Sequence, residues 1–181
     1  MNPITKMIIA TTALALGGCN MIPPMTSQHM MMQSGMVETL PANPKYDNRI
    51  TLGEVTIADS AKGSFAAGVI TPPALREAIL NGITNSGFYN RGKDSARYLL
   101  TARLERIEQD ILGWEMSAIA SIHYRLTQQS NGKEVYAETV SIPATLSMGD
   151  VFDGHMRARL VTGKAISENI THFIRTLSTL N

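Results

Sequence analysis

Between Trp114 and Ala144 the chain spells a β-hairpin, and that stretch limits the fold more than any other. Trp114, Met116, Ala118, Ala120, Ile122, Tyr124 and Leu126 alternate with Glu115, Ser117, Ser121, His123 and Arg125, with Ile119 as the apolar exception. Alternation of this kind sends successive side chains to opposite faces of a strand, one apolar and one polar. Ser130-Asn131-Gly132-Lys133 then supplies an Asn-Gly turn, whose positive-φ tolerance suits a tight hairpin. Residues 134–144 return as the second strand, and Pro143 marks its end or a sheet edge, because proline has no N–H for a ladder. One face of this hairpin is too apolar to stand in water, so other elements must cover it.

Those elements are legible on either side. Residues 97–111 alternate again, with Tyr98, Leu100, Ala102 and Leu104 opposite Thr101, Arg103 and Glu105, and a break follows at Leu112-Gly113. Residues 50–57 read as a first strand with Ile50, Leu52 and Glu54 on one side. Thr71-Pro72-Pro73 opens a helix: threonine caps it, and proline sits where an N–H is not needed. Leu75, Ala78, Ile79, Gly82 and Ile83 give that helix one apolar face. Gly82 on this face implies a close approach to the sheet, and Gly87 ends the helix in the left-handed conformation. From about Gly154 to Leu180, Ile166, Ile170, Phe173 and Leu177 form a second helical stripe. The order is β-α-β-β-β-α. It predicts an α+β domain over 49–181, with two helices packed on one face of a four-stranded, mainly antiparallel sheet. The opposite face carries Thr101, Arg103, Glu105, Ser117, Ser121, His123 and Arg125 and is expected to meet water or a partner.

The amino-terminal third is of another kind. Lys6 precedes an apolar run from Met7 to Leu16, and Leu16-Gly17-Gly18-Cys19 follows. The run is too short to span a bilayer, which takes about 20 residues, and it has the form of a secretory signal over 1–18. The four residues ending at Cys19 resemble the lipobox of bacterial lipoproteins. The resemblance implies cleavage before Cys19 and attachment of diacylglycerol to its sulfur. It also implies, through Asn20 in place of aspartate, an outer-membrane, periplasm-facing location rather than the inner membrane. Cys19 is the only cysteine, so no intramolecular disulfide competes for it. Residues 19–48 contain Pro23-Pro24, Pro41 and Pro44 and no persistent apolar period. They read as a flexible Met/Pro-rich tether, long enough to lift the domain by about 30 Å.

Loss of Lys6 with the signal takes the formal net charge from +1 to zero, which offers no general attraction to nucleic acid. In the tether, Met21, Met25, Met30, Met31, Met32 and Met36 surround His29. Thioethers with imidazole suit Cu(I), so a copper-handling lipoprotein is one alternative; soft side chains resting on a membrane or partner are the plainer reading. His123 with Arg103 and Arg125 suggests a site for an anionic group, against the more ordinary reading of a solvated face. Glu105, Glu108, Asp110 and Glu115 near the strand turn suggest a carboxylate pair, but a solvated acidic hairpin is the default. Asp150-Val151-Phe152-Asp153-Gly154-His155 lacks calcium-loop spacing, and His172 reads as a surface histidine. No serine, histidine and acid stand in a triad context, and no glycine-rich phosphate loop occurs. No catalytic, cofactor-binding or metal residue and no cofactor is assigned.

As a pattern, residues 50–180 resemble small periplasm-facing lipoproteins of Gram-negative bacteria, including the lipopolysaccharide-assembly lipoprotein and the auxiliary lipoproteins of ABC-type transport. The likeness rests on the lipobox, the proline-bearing tether, Leu75-Arg76-Glu77-Ala78-Ile79, Ser86-Gly87-Phe88, Tyr98-Leu99-Leu100-Thr101-Ala102 and the long last helix. It implies a membrane-anchored, non-catalytic accessory in envelope assembly or in lipid or solute transport, binding a protein partner (an outer-membrane barrel or a transporter component) or an amphiphile. A structural envelope scaffold is the remaining alternative.

Overall fold

The computed structural model describes residues 22–32, 41–62, 67–92, 95–110 and 113–181. Among these, β1 (Ile50–Ile57), α1 (Pro72–Asn85), β2 (Tyr98–Asp110), β3 (Glu115–Gln128), β4 (Glu134–Ser147) and α2 (Gly154–Thr179) follow in the expected order. The sheet order is β1-β2-β3-β4. β1 runs parallel to β2, as a helical crossover requires, while β2–β3 and β3–β4 are antiparallel. β4 is an edge strand, so it carries Pro143 opposite Ile119 and continues to Ser147.

Two bulges adjust the alternation read from the sequence. Between Leu52 and Val55 the register of β1 slips by one residue, so Val55 is buried and Glu54 is exposed. The extra residue leaves carbonyls off the ladder. Arg76 of α1 donates to the carbonyl oxygens of Leu52, at 2.9 Å, and of Gly53. In β2 a second bulge lies between Leu104 and Arg106. Beyond it Gln109 turns to the helix side and donates to Thr162 Oγ1 at 2.6 Å.

Thr71 caps α1 by accepting from the amide of Ala74, and Gly87 takes φ +79° beyond its end. Gly82 approaches α2, not the sheet. A Cβ there would lie 2.9 Å from Ile170 Cγ2 and 3.2 Å from Met32 Sδ. The α2 stripe Ile166, Ile170, Phe173 and Leu177 is fully buried against the sheet core of Leu100, Leu104, Ile122, Tyr124 and Leu126. Tyr124 stacks on Phe173 with ring centroids 4.0 Å apart.

One polar residue sits inside this core. Asn169 on α2 accepts from Tyr124 Oη at 3.0 Å and donates to the carbonyls of Ala120 at 2.9 Å and Val140 at 2.7 Å. Every hydrogen-bonding group of its amide head is used, so it fixes how α2 sits across β3 and β4 without an unsatisfied penalty.

The tether reading is corrected over the residues described. Met25, Met30, Met32 and Tyr46 are buried in the hydrophobic core. The Met25 amide donates to Val69 O at 2.9 Å, and Ser167 Oγ donates to Met31 O at 2.7 Å. Arg159 reaches the carbonyl of Pro23 and that of Ala67. At Gly163 a Cβ would collide with His29 O, so glycine is what lets the chain lie on α2. At the far end, Asn43 Nδ2 donates to Leu177 O at 2.9 Å and Leu180 O at 3.0 Å, capping the helix. The packed structure therefore begins at least as early as Ile22. Sequence periodicity misses this because these residues form no regular element of more than one turn.

Candidate binding surfaces

On the open face of the sheet the register sets Arg103 directly beside His123, and His123 beside Thr139. His123 Nδ1 lies 3.1 Å from Thr139 Oγ1, which donates to Glu105 Oε2 at 3.3 Å. Arg125 turns away from this group and binds Glu134 at 2.7 Å. The face thus brings Arg103 and His123 together but leaves Arg125 engaged elsewhere, with Glu105 in the cluster. A carboxylate at that point opposes an anionic ligand, and the arrangement reads as a cross-strand network on a solvated face.

Three of the four acidic residues near the strand turn, Glu105, Glu108 and Glu115, are engaged or placed apart from one another. Glu105 serves Thr139, Glu108 pairs with Arg106 at 3.0 Å, and Glu115 is exposed opposite Ser147. The loop after β4 is equally committed to structure. Asp150 accepts from the amide and the hydroxyl of Ser147 at 2.8 and 3.0 Å, and these bonds hold its carboxyl below the usual range. Asp153 caps α2 by accepting from the Met156 amide at 2.7 Å. His172 is exposed on α2.

Three of the six methionines of the Met/His copper reading are turned inward, while Met31 and His29 both line a cleft beside α2. The side chains of Met25, Met30 and Met32 are buried among apolar neighbours, and His29 Nδ1 is 2.7 Å from Thr26 Oγ1 in the capping of a 3₁₀ turn, Ser27–His29. Among the described residues no cluster of three or more histidine, cysteine, aspartate or glutamate side chains is placed to hold a metal. Met21, Met36 and Cys19 lie outside the described residues.

One concavity that sequence reading missed lies between residues 28–31, the end of β4, the loop after it and α2. It has a volume of about 500 Å³. Met31, Leu146, Val151 and Leu160 give it an apolar wall, and Ser167, Thr171, Lys164 and Glu168 a polar one. Lys164 Nζ is 3.2 Å from Thr145 O and 3.9 Å from Glu168 Oε1. Its lining comes from four separate segments, so no local motif could have revealed it. The size and the mixed wall suit an amphiphile or an apolar side chain of a partner. Two tyrosines of the neighbouring core have raised pKa values. Tyr136 is pushed up to about 12 by burial and by Glu138, and Tyr124 is pushed up by burial and then by Tyr136. Both therefore remain neutral hydrogen-bonding groups at physiological pH.

With this geometry in view, comparison with known proteins is informative about architecture. No family model matches the chain, and no curated protein sequence matches it. Among solved structures, protein XCC0632 from Xanthomonas campestris, of family DUF330, is similar with a TM-score of 0.55 at 13% identity, over 77% of this chain and 90% of that one. A minor lipoprotein from Acinetobacter baumannii gives 0.52 at 13% identity, over 76% and 93%. Hypothetical protein CT253 from Chlamydia trachomatis gives 0.50 at 12% identity, over 73% and 98%. What they share is the fold. Among the described residues no helix is long and apolar enough to cross a membrane.

Proposed function

We propose that this chain is a lipid-anchored, non-catalytic accessory protein of the bacterial envelope, attached through Cys19 and binding an amphiphile or the apolar segment of an envelope protein in the cleft beside α2. The observation that carries the reading is the Leu16-Gly17-Gly18-Cys19 sequence, which ends three residues before a segment that the domain holds against α2 by Arg159, Gly163 and Ser167. The anchor supplies location, and confinement to a membrane raises the effective concentration near a membrane-bound partner, so a modest cleft suffices. The fold shared with a minor lipoprotein of Acinetobacter baumannii supports the lipoprotein part of the reading. Asn20 supports an outer-membrane, periplasm-facing location. Within that class, envelope assembly and lipid or solute transport are the roles the cleft fits.

The anchor is tested with Cys19→Ser in the full chain. Wild type should label with palmitate and fractionate with membranes; a serine variant that does both overturns the anchor. The binding role is tested by recovering the lipidated protein from membranes and identifying what co-purifies. An outer-membrane barrel or a transporter component that is lost on Leu160→Glu supports the cleft; co-purification unchanged by Leu160→Glu removes the cleft from the reading.

A further inference from the structure

Three large apolar side chains stand out of the domain near one another. Trp114 is 78% exposed, Phe152 87% and Met156 48%. The sequence alternation places Trp114 on the buried face. Instead β3 begins at Glu115, and Trp114 sits in the bend after Gly113, whose φ is +101°. The Trp114 carbonyl accepts from the Met148 amide at 2.8 Å, which ties the β2–β3 turn to the loop after β4. Trp114, Met148 and Phe152 line one shallow cleft. Met156, four residues beyond Phe152, lines the next one together with Ile22, Pro23 and Arg159.

The second cleft says what covers this surface. Ile22 and Pro23 lie beside Met156, and Arg159 holds them there through the Pro23 carbonyl. Cys19 is only three residues before Ile22, and three residues extend at most about 11 Å. A lipid on Cys19 therefore enters its bilayer within that distance of the Met156 end of the domain. Three carboxylates rim this end, Glu115 beside Trp114, Asp150 bound to Ser147 and Asp153 capping α2, while Arg159 is held by two carbonyls, so the apolar side chains and not charge attraction are what this edge offers a membrane. Tryptophan is favoured where one part of a ring is wet and the rest apolar, which is the headgroup layer of a membrane.

We infer that the domain docks directly on the membrane that carries its lipid, with Trp114, Phe152 and Met156 seated in the headgroup layer. This rests on the anchor reading above. It replaces a domain held away on a long tether with one whose orientation is fixed by two contacts, the acyl chains and this apolar edge. The open sheet face and the cleft beside α2 are then presented in a defined direction relative to the bilayer.

Trp114 is the only tryptophan in the sequence, so its fluorescence reports on this edge alone. The full-length lipidated protein is placed in phosphatidylethanolamine–phosphatidylglycerol vesicles with and without acyl-brominated lipid, and the same sample is analysed by mass spectrometry for lipid on Cys19. Docking is expected to quench Trp114 emission by at least half with brominated lipid and to cut iodide quenching several-fold. Phe152→Glu combined with Met156→Glu, both exposed and so neutral for folding, should restore most of the emission with the melting transition unchanged. Lipid present on Cys19 but Trp114 unquenched by bromine overturns docking and leaves the anchor standing. An unmodified Cys19 overturns both. Shielding from iodide that grows with protein concentration, without bromine quenching, assigns the edge to a second copy of the chain and also overturns the inference.

Discussion

The β3–β4 hairpin and the amino-terminal residues 22–32 and 41–48 contribute to the same core by opposite routes. The hairpin carries its own instructions. Alternation fixes the face, Asn131-Gly132 fixes the turn, and pairing runs from Glu115 with Ser147 to Thr127 with Glu134. The described amino-terminal residues form no regular element beyond one 3₁₀ turn, yet Met30 and Tyr46 are buried as fully as Ile122, and Met25 nearly so. Its conformation is specified by groups elsewhere: Arg159, Gly163 and Ser167 on α2 and Val69 before α1. Apolar burial is indifferent to secondary structure; only its periodicity in sequence depends on it.

The two routes separate under mutation. The largest effect is expected where the hairpin meets α2. Phe173→Ala removes the ring stacked on Tyr124 and should lower unfolding free energy by about 3–5 kcal/mol, measured by denaturant titration, with sheet and helix signals lost together. A smaller and more local effect is expected at the other region. Gly163→Ala forces a Cβ against His29 O and should cost about 1–3 kcal/mol. Hydrogen exchange should then rise at the Met25 and Met30 amides while β3 and β4 stay protected. If protection falls equally in both regions, the amino-terminal stretch is not a separable layer and the contrast fails.

The hairpin core also carries a pH signature. Tyr136 in the folded chain titrates at about 12 against 10.0 for an ordinary tyrosine, and burial raises Tyr124 above that ordinary value too. The unfolded chain therefore loses these protons first. Their stabilising contribution is complete below pH 10 and is lost as pH climbs from there toward the folded values. Melting temperatures should decline above pH 10, and Tyr124→Phe should flatten the decline; an unchanged slope would show that the tyrosine core is not what titrates. The smallest effect is expected on the open face. Arg125 and Glu134 are both largely exposed, so Arg125→Ala should shift stability by less than about 1 kcal/mol.

What was readable from sequence follows the same division. Strands and helices whose residues repeat with a fixed period were readable to within a few residues, as were the Thr71 cap and the Gly87 terminus. Departures arose where one residue breaks the period. A single inserted residue in β1 exchanges Glu54 for Val55, and a strand starting one residue late exposes Trp114. Gly82 signalled a close approach but not to which element, because a missing side chain says nothing about its neighbour. Asn169 carried a signal that went unread: an amide beside an otherwise apolar stripe implies buried carbonyls to satisfy. The cleft beside α2 had no signal at all, since Met31, Leu146, Val151 and Leu160 meet only after the chain has closed on itself. Cys19 was legible as a motif because a lipobox is recognised as contiguous sequence, with no fold required.

The bonds made by residues 22–32 to Arg159, Gly163 and Ser167 tie the beginning of the folded chain to its last helix. A ribosome delivers those ends in the opposite temporal order. Met25 and Met30 emerge first, and although Val69 and α1 follow soon after, the α2 part of their surface is made only with residues 154–179. Full burial of the domain's earliest apolar side chains therefore depends on the element that is synthesised last.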